Sequence, residues 1–222
     1  MDTPSKTTIL YYTSNREGEL FEGRIRENIL ANSGGLPIIS VSQKPIDFGK
    51  NIVVGDVGTS GFNMFRQVLI GLQEVKTPFV ISAEADCLYP PDYFSFVPEK
   101  LDVCYRNSNV YVMGQRKDYF YHKPEGATHA QVIGTEFYKD ILTKLFEGAP
   151  EWSVKEKNFP KERHRKEDFT DRIEYYATLN PVIQIKTFRS MRHYTHSERI
   201  PIYELPYWGH GKVVREKFYS DK

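Results

Sequence analysis

The sequence predicts an α/β protein with a mostly parallel central sheet flanked by helices. Strand-like and helix-like segments alternate through the first half of the chain, the order that gives parallel strands with helical crossovers. The run Pro78-Phe79-Val80-Ile81-Ser82-Ala83 is nearly continuous in apolar residues, as in a strand buried on both faces. It closes on Glu84-Ala85-Asp86 and then the turn-like stretch Leu88-Tyr89-Pro90-Pro91-Asp92. In open α/β sheets, ligands bind outside the carboxyl ends of the strands.

Thr7 to Thr13 is β-branched and aromatic and predicts the first strand, with Ser14 to Gly18 as a polar turn. Leu20 to Ala31 carries Leu20, Ile25, Ile29 and Leu30 among charges, a helical pattern stopped by Ser33-Gly34-Gly35. Leu36 to Val41 and Asn51 to Val54 predict the second and third strands. The Gly-rich loop Gly55 to Gly61 follows. Phe62 to Val75 predicts a helix, with Met64, Phe65, Val68, Leu69 and Leu72 on its apolar face. Pro78 to Ala83 is then the fourth strand.

The second half is less regular. Asn109 to Gly114 predicts a strand, and Ala130 to Ile133 another that feeds a helix over Glu136 to Phe146. Trp152 to Lys166 is polar, basic and without periodicity, which predicts a loop. Phe169 to Leu179 predicts a helix, with Phe169, Ile173 and Tyr176 on one face and Asn180-Pro181 as its breaker. Val182 to Phe188 predicts a strand, and the tail from Met191 is rich in His, Tyr, Pro and Gly. Repeats, low-complexity tracts and linkers do not stand out, so one domain over 1–222 is expected.

Composition narrows the function classes. The 222 residues are 40% apolar and 27% charged, which suits a soluble globular domain. A net charge of +1 gives no global field to mark a polyanion partner. Cys87 and Cys104 form no closely spaced pair, which argues against a zinc site or a redox motif and favours a reducing compartment. Met1 to Thr8 lacks the apolar core of a signal peptide, and no segment has the apolar length of a membrane span, so a cytoplasmic location is expected. Aromatics stand at 14%, with 15 Tyr and 14 Phe, which suits stacking on sugars and plain packing equally.

Two carboxylates at a buried strand end need partners, and a cation is the natural one. Oxygen ligands favour hard divalent ions, Mg²⁺ or Mn²⁺, which hold phosphates well. A strand end that simply meets water would carry the same tripeptide. The loop Gly55-Asp56-Val57-Gly58-Thr59-Ser60-Gly61 lets backbone approach a nucleotide, although its spacing is neither a dinucleotide fingerprint nor a P-loop.

Five features stand in one order. A first strand ends on Thr13-Ser14, a helix carries Arg66, a buried strand ends on Glu84-Ala85-Asp86, Glu167-Asp168 follows, and a later strand leads to His193 and His196. This order resembles the nucleotide-sugar glycosyltransferases of the GT-A fold, most closely family 2, over roughly Thr7 to Ser197. The resemblance implies a Rossmann-like GT-A sheet with a mixed acceptor-side half. About residues 1–95 would form the nucleotide-sugar half, and about 96–222 the acceptor and catalytic-base half.

The resemblance also implies roles. Glu84-Ala85-Asp86 matches the family's Asp-x-Asp motif, with Asp86 on a Mn²⁺ or Mg²⁺ ion. Glu84 stands where the family has Asp, and its longer reach directs it to ribose or a metal-bound water. Thr13, Asp56 and Arg66 are implied nucleotide and pyrophosphate contacts. Trp208 or Tyr207 would stack on sugar, and His193 and His196 are further metal ligands. His210, in Trp208-Gly209-His210-Gly211, would belong to a closing lid. Asp168 matches the catalytic base with Glu167 beside it, although Glu and Asp also favour the first turn of any helix. The expected donor is a UDP-sugar and the expected transfer inverting. The acceptor is a glycan, or a modified nucleic-acid base met by the basic stretch Lys155, Lys157, Lys161, Arg163, Arg165 and Lys166. A nucleotidyltransferase and a non-catalytic binding module of the same fold are the alternatives. The first would carry a Gly-rich basic loop where Thr13 to Gly18 stands.

Overall fold

The computed structural model describes residues 5–155, 169–191 and 197–219. From the N-terminus the chain forms β1 (Thr7–Thr13), α1 (Glu19–Asn32), β2 (Ile38–Ser42), β3 (Lys50–Val53), α2 (Gly61–Leu72) and β4 (Phe79–Glu84). These agree with the elements read from the sequence to within a few residues. β1 pairs in parallel with both β2 and β4, and β2 with β3. All seven residues of β1 are buried, because helices cover both faces of the sheet.

Alternate residues of β1 serve opposite faces. Ile9 and Tyr11 pack with Phe21, Ile25 and Ile29 of α1. Leu10 and Tyr12 pack with Phe62, Phe65, Val68 and Leu72 of α2. Each such fully buried side chain contributes about 1.5–3 kcal/mol. Ser60 starts α2 by accepting from Asn63 N at 3.0 Å. Gly71 lets α2 lie against the sheet. A Cβ there would stand 2.4 Å from Leu10 Cδ1 and 2.9 Å from Val41 Cγ2.

The second half adds β5 (Cys87–Leu88), the single turn α3 (Pro91–Phe94), β6 (Cys104–Asn107), β7 (Val110–Gly114), β8 (Tyr121–His122), β9 (Gln131–Gly134) and α4 (Thr135–Leu145). After these come β10 (Ile173–Tyr176), β11 (Val182–Lys186), β12 (Glu204–Leu205), β13 (Gly209–His210) and α5 (Gly211–Tyr219). The main sheet has seven strands in the order β10-β6-β9-β4-β1-β2-β3, with β9 antiparallel to both neighbours. A second sheet has the order β5-β11-β7-β8. It is joined to the end of β4 by the turn through Ala85 and Asp86. β12 and β13 form an antiparallel hairpin.

One expectation needs correction, and two elements are not expected. Phe169 to Leu179 is not a helix: Ile173–Tyr176 is the edge strand β10, parallel to β6. Its apolar residues serve opposite faces, with Phe169 edge-on to Phe65 at 4.6 Å and Tyr176 stacked on Phe96 at 3.8 Å. Burial on two faces at odd spacing is a strand's demand, which the helix-like spacing conceals. The sequence does not predict strand β6, nor α5, whose Val214 and Phe218 pack beside Phe21 and Tyr219.

Candidate functional site

Three chain segments and the α2 N-terminus meet at the carboxyl ends of β1 and β4. They line an open cavity with Tyr12 and Thr13 from β1, and Ser14, Arg16 and Glu17 from the loop after it. Gly58, Thr59, Ser60, Met64 and Gln67 come from the loop and first turns of α2. Glu84 comes from the end of β4, Ala85 and Asp86 from the turn after it, and Arg189, Ser190 and Met191 from beyond β11. The structure therefore brings Thr13, Glu84, Ala85 and Asp86 together, as the sequence places them.

Hydrogen bonds fix each wall. Tyr12 lies opposite Glu84 in the β1–β4 register, and its hydroxyl donates to Glu84 Oε1 at 2.9 Å. The Glu84 amide donates to Tyr89 Oη at 2.9 Å. Asp86 turns the chain into β5. Its carbonyl accepts from Ile185 N at 2.7 Å, and its Oδ2 accepts from Gln184 Nε2 at 3.3 Å. Gln67 Nε2 donates to Thr13 O at 2.9 Å and Val41 O at 3.3 Å, tying α2 to two strand ends. The loop before α2 is held by Asn63, whose Nδ2 donates to Val57 O at 2.6 Å and Gly58 O at 3.1 Å.

The loop after β1 is clasped from below and from the side. Buried Glu22 of α1 accepts from Thr13 Oγ1 at 3.0 Å and from Glu17 N at 3.3 Å. Burial pushes the Glu22 carboxyl up to about 7, against the pull of these bonds and of Arg26, 3.9 Å away. Arg189 Nη1 donates to Glu17 O at 3.2 Å and Arg16 O at 3.4 Å. Gly18 accommodates it, since a Cβ there would stand 2.9 Å from Arg189 Nη1 and the backbone has φ +99°. Glu17 accepts from Thr187 Oγ1, and burial raises its carboxyl above the usual range, with Asp86 adding repulsion.

Three acidic residues, Glu17, Glu84 and Asp86, thus share one cavity with two arginines, Arg16 and Arg189. That pairing suits a ligand that is itself anionic and brings a cation. For a hard divalent ion the donor set fits: carboxylate oxygens at the cavity wall, with Asp86 Oδ2 met by a neutral amide at 3.3 Å.

Other sequence candidates lie elsewhere. Arg66 does not line the cavity. Its Nη2 donates to Pro150 O at 2.7 Å, and its guanidinium lies 3.9 Å from the Phe146 ring centroid. Asp56 is exposed, away from the cavity walls. Trp208 is pinned by Nε1 donating to Pro181 O at 2.6 Å, and Tyr207 Oη donates to Asn32 Oδ1 at 3.0 Å. His210 accepts from Lys212 N at 3.1 Å through Nδ1. Glu167, Asp168, His193 and His196, and the basic residues from Lys157 to Lys166, lie outside the described residues.

The chain matches no protein-family model and no curated protein. Among solved structures it superposes on residues 1–349 of Staphylococcus aureus TarS in complex with UDP-GlcNAc, with a TM-score of 0.51 at 13% identity. That match covers 85% of this chain and 60% of the other, so the chain spans about 60% of its length. A glycosyltransferase involved in glycosylation of the PBCV-1 major capsid matches with a TM-score of 0.46 at 13% identity, over 81% of this chain and 93% of that one. The bifunctional IspDF of Campylobacter jejuni also gives 0.46, at 11% identity, over 78% of this chain and 50% of that one.

The chain has the GT-A fold of the nucleotide-sugar glycosyltransferases, with a mostly parallel Rossmann-like sheet and its cavity at the strand ends. Among the described residues, no helix is long and apolar enough to cross a membrane.

Proposed function

We propose that this chain is a metal-dependent glycosyltransferase that moves a sugar from a nucleoside-diphosphate sugar, with UDP as carrier, to an acceptor hydroxyl with inversion. The observation that supports it most is the pairing of Glu84 and Asp86 with Arg16 and Arg189 in one cavity at the ends of β1 and β4. A nucleoside diphosphate with its ion has the matching alternation of charge. The fold-sharing TarS structure holds UDP-GlcNAc.

In this reading Asp86 holds Mn²⁺ or Mg²⁺, with His193 or His196 as further ligands. The ion, when bound, offsets the charge that grows on the departing diphosphate. Arg16 and Arg189 bind the phosphates, and the backbone of Thr13 and Thr59 borders the nucleoside. Glu84, oriented by Tyr12, accepts from a ribose or sugar hydroxyl. Asp168, with Glu167 beside it, takes the proton of the acceptor hydroxyl as its oxygen bonds to the anomeric carbon. The bond from that carbon to the diphosphate oxygen breaks on the opposite side. The acceptor is a glycan or a modified nucleic-acid base.

Asp168→Asn tests the base. It is expected to keep UDP affinity and lose transfer by about a hundredfold or more, measured as UDP release with acceptor present. Full turnover in that variant would remove Asp168 from the role.

A further inference from the structure

Behind the cavity wall lies a second cluster, of which the proposed glycosyl transfer uses only Glu84. Glu84, Cys87 and His129 each bring one ligand-type atom to a common point, all within 4.8 Å of one another. His129 is 4% exposed, and its Nε2 is buried with no hydrogen-bond partner among the described residues. An orphaned buried nitrogen is destabilising and calls for a reason. Burial holds this imidazole neutral, the form that binds metal. Cys87 is fully buried, and its thiol touches Asp86 Oδ1 at 3.2 Å.

The three backbones are held independently of any ligand. Tyr89 Oη accepts from Glu84 N at 2.9 Å and donates to His129 O at 2.8 Å, so one hydroxyl spans two members of the cluster. Cys87 sits in β5, opposite Gln184 of β11. Glu84 also lines the cavity, which gives an ion a path from solvent. A tetrahedral ion with bonds of about 2.0–2.3 Å sets its ligand atoms roughly 3.5 Å apart. From separations of up to 4.8 Å, reaching that size takes shifts of about an ångström.

We propose that Glu84, Cys87 and His129 form a binding site for a thiophilic divalent ion of the zinc class, distinct from the hard-ion position at Asp86. One thiolate, one imidazole and one carboxylate select Zn²⁺ or Co²⁺ over Mg²⁺ and Mn²⁺. Three protein ligands leave the fourth tetrahedral position to water. Binding forms the metal–sulfur bond and releases the Cys87 thiol proton to solvent. The sequence argues against zinc because Cys87 has no cysteine partner nearby. The fold supplies His129 and Glu84 in its place.

Titration of the metal-free chain with Co²⁺, followed by the thiolate-to-cobalt charge-transfer band, tests this without any nucleotide. One ion per chain is expected, with a band that Zn²⁺ erases and Mg²⁺ leaves. Cys87→Ser should abolish the band, Cys104→Ser should keep it, and His129→Gln should weaken Co²⁺ binding about tenfold or more. X-ray absorption at the zinc edge of the unmodified, zinc-loaded chain gives a readout independent of any variant's folding, and one sulfur per zinc is expected. No band in the parent chain, a band that survives Cys87→Ser, or zinc without sulfur would each overturn the site. None of these readouts depends on whether UDP binds.

Discussion

The Tyr12 hydroxyl donates to Glu84 Oε1 at 2.9 Å across the β1–β4 register, so the carboxylate on the cavity wall is aimed by a buried ring of the neighbouring strand. Tyr12 is 5% exposed, and burial together with the Glu84 charge raises its phenol well above the ordinary range. The phenol is therefore a fixed donor at any working pH. Tyr12→Phe removes that donor and keeps the packing. It should lower stability by about 0.5–1.5 kcal/mol and weaken UDP binding severalfold, measured by thermal unfolding and calorimetry. Unchanged UDP affinity would mean that Glu84 needs no aiming.

Glu22 gives a pH dependence with a definite sign. Burial pushes its folded carboxyl up to about 7, from an ordinary value of 4.5. The native state therefore holds this proton more tightly than the unfolded chain does. The associated stability is fully present below the unfolded value and is lost as pH rises through about 7. A tenfold difference in proton affinity between the two states is worth about 1.4 kcal/mol, so the loss is on the order of 3 kcal/mol. Glu22→Gln keeps an oxygen for Thr13 or Glu17 and should flatten the fall in melting temperature between acid and neutral pH. Parallel pH profiles for the two proteins would contradict the buried-carboxyl account.

Arg189 and Arg66 separate the cavity from the core. Arg189→Ala should weaken UDP binding roughly tenfold to a hundredfold, because a charge-assisted contact to phosphate is lost. Arg66→Ala should leave UDP affinity within about twofold and instead cost about 1–2 kcal/mol of stability, from its bond to Pro150 and its stacking on Phe146. Calorimetry and thermal unfolding of both variants check the assignment, and the opposite pattern would restore Arg66 to the pyrophosphate.

The parallel half is legible in the sequence because its signals are local. β1 and β4 are uninterrupted buried runs, and α2 shows an apolar face, so the strand ends at Thr13 and Glu84, with Asp86 just beyond, follow directly. The second half depends on partners. β6 contains Arg106 and Asn107, which have no strand signature, and takes its form from pairing with β9 and β10. Arg189 reaches the cavity by hydrogen-bonding backbone 173 residues away at Arg16, a contact that no spacing rule anticipates. His129 reads as an isolated residue in a loop, and only the fold sets it beside Cys87 and Glu84. α5 is missed because the His- and Tyr-rich composition of the tail obscures the helical spacing of Val214 and Phe218.

The most direct measurement is calorimetric titration of UDP into the chain with Mn²⁺, with chelator, and with Asp86→Ala in Mn²⁺. The proposed cavity predicts binding in the first case and a loss of about tenfold or more in the other two. Equal affinity in all three would contradict a metal–diphosphate site at Asp86.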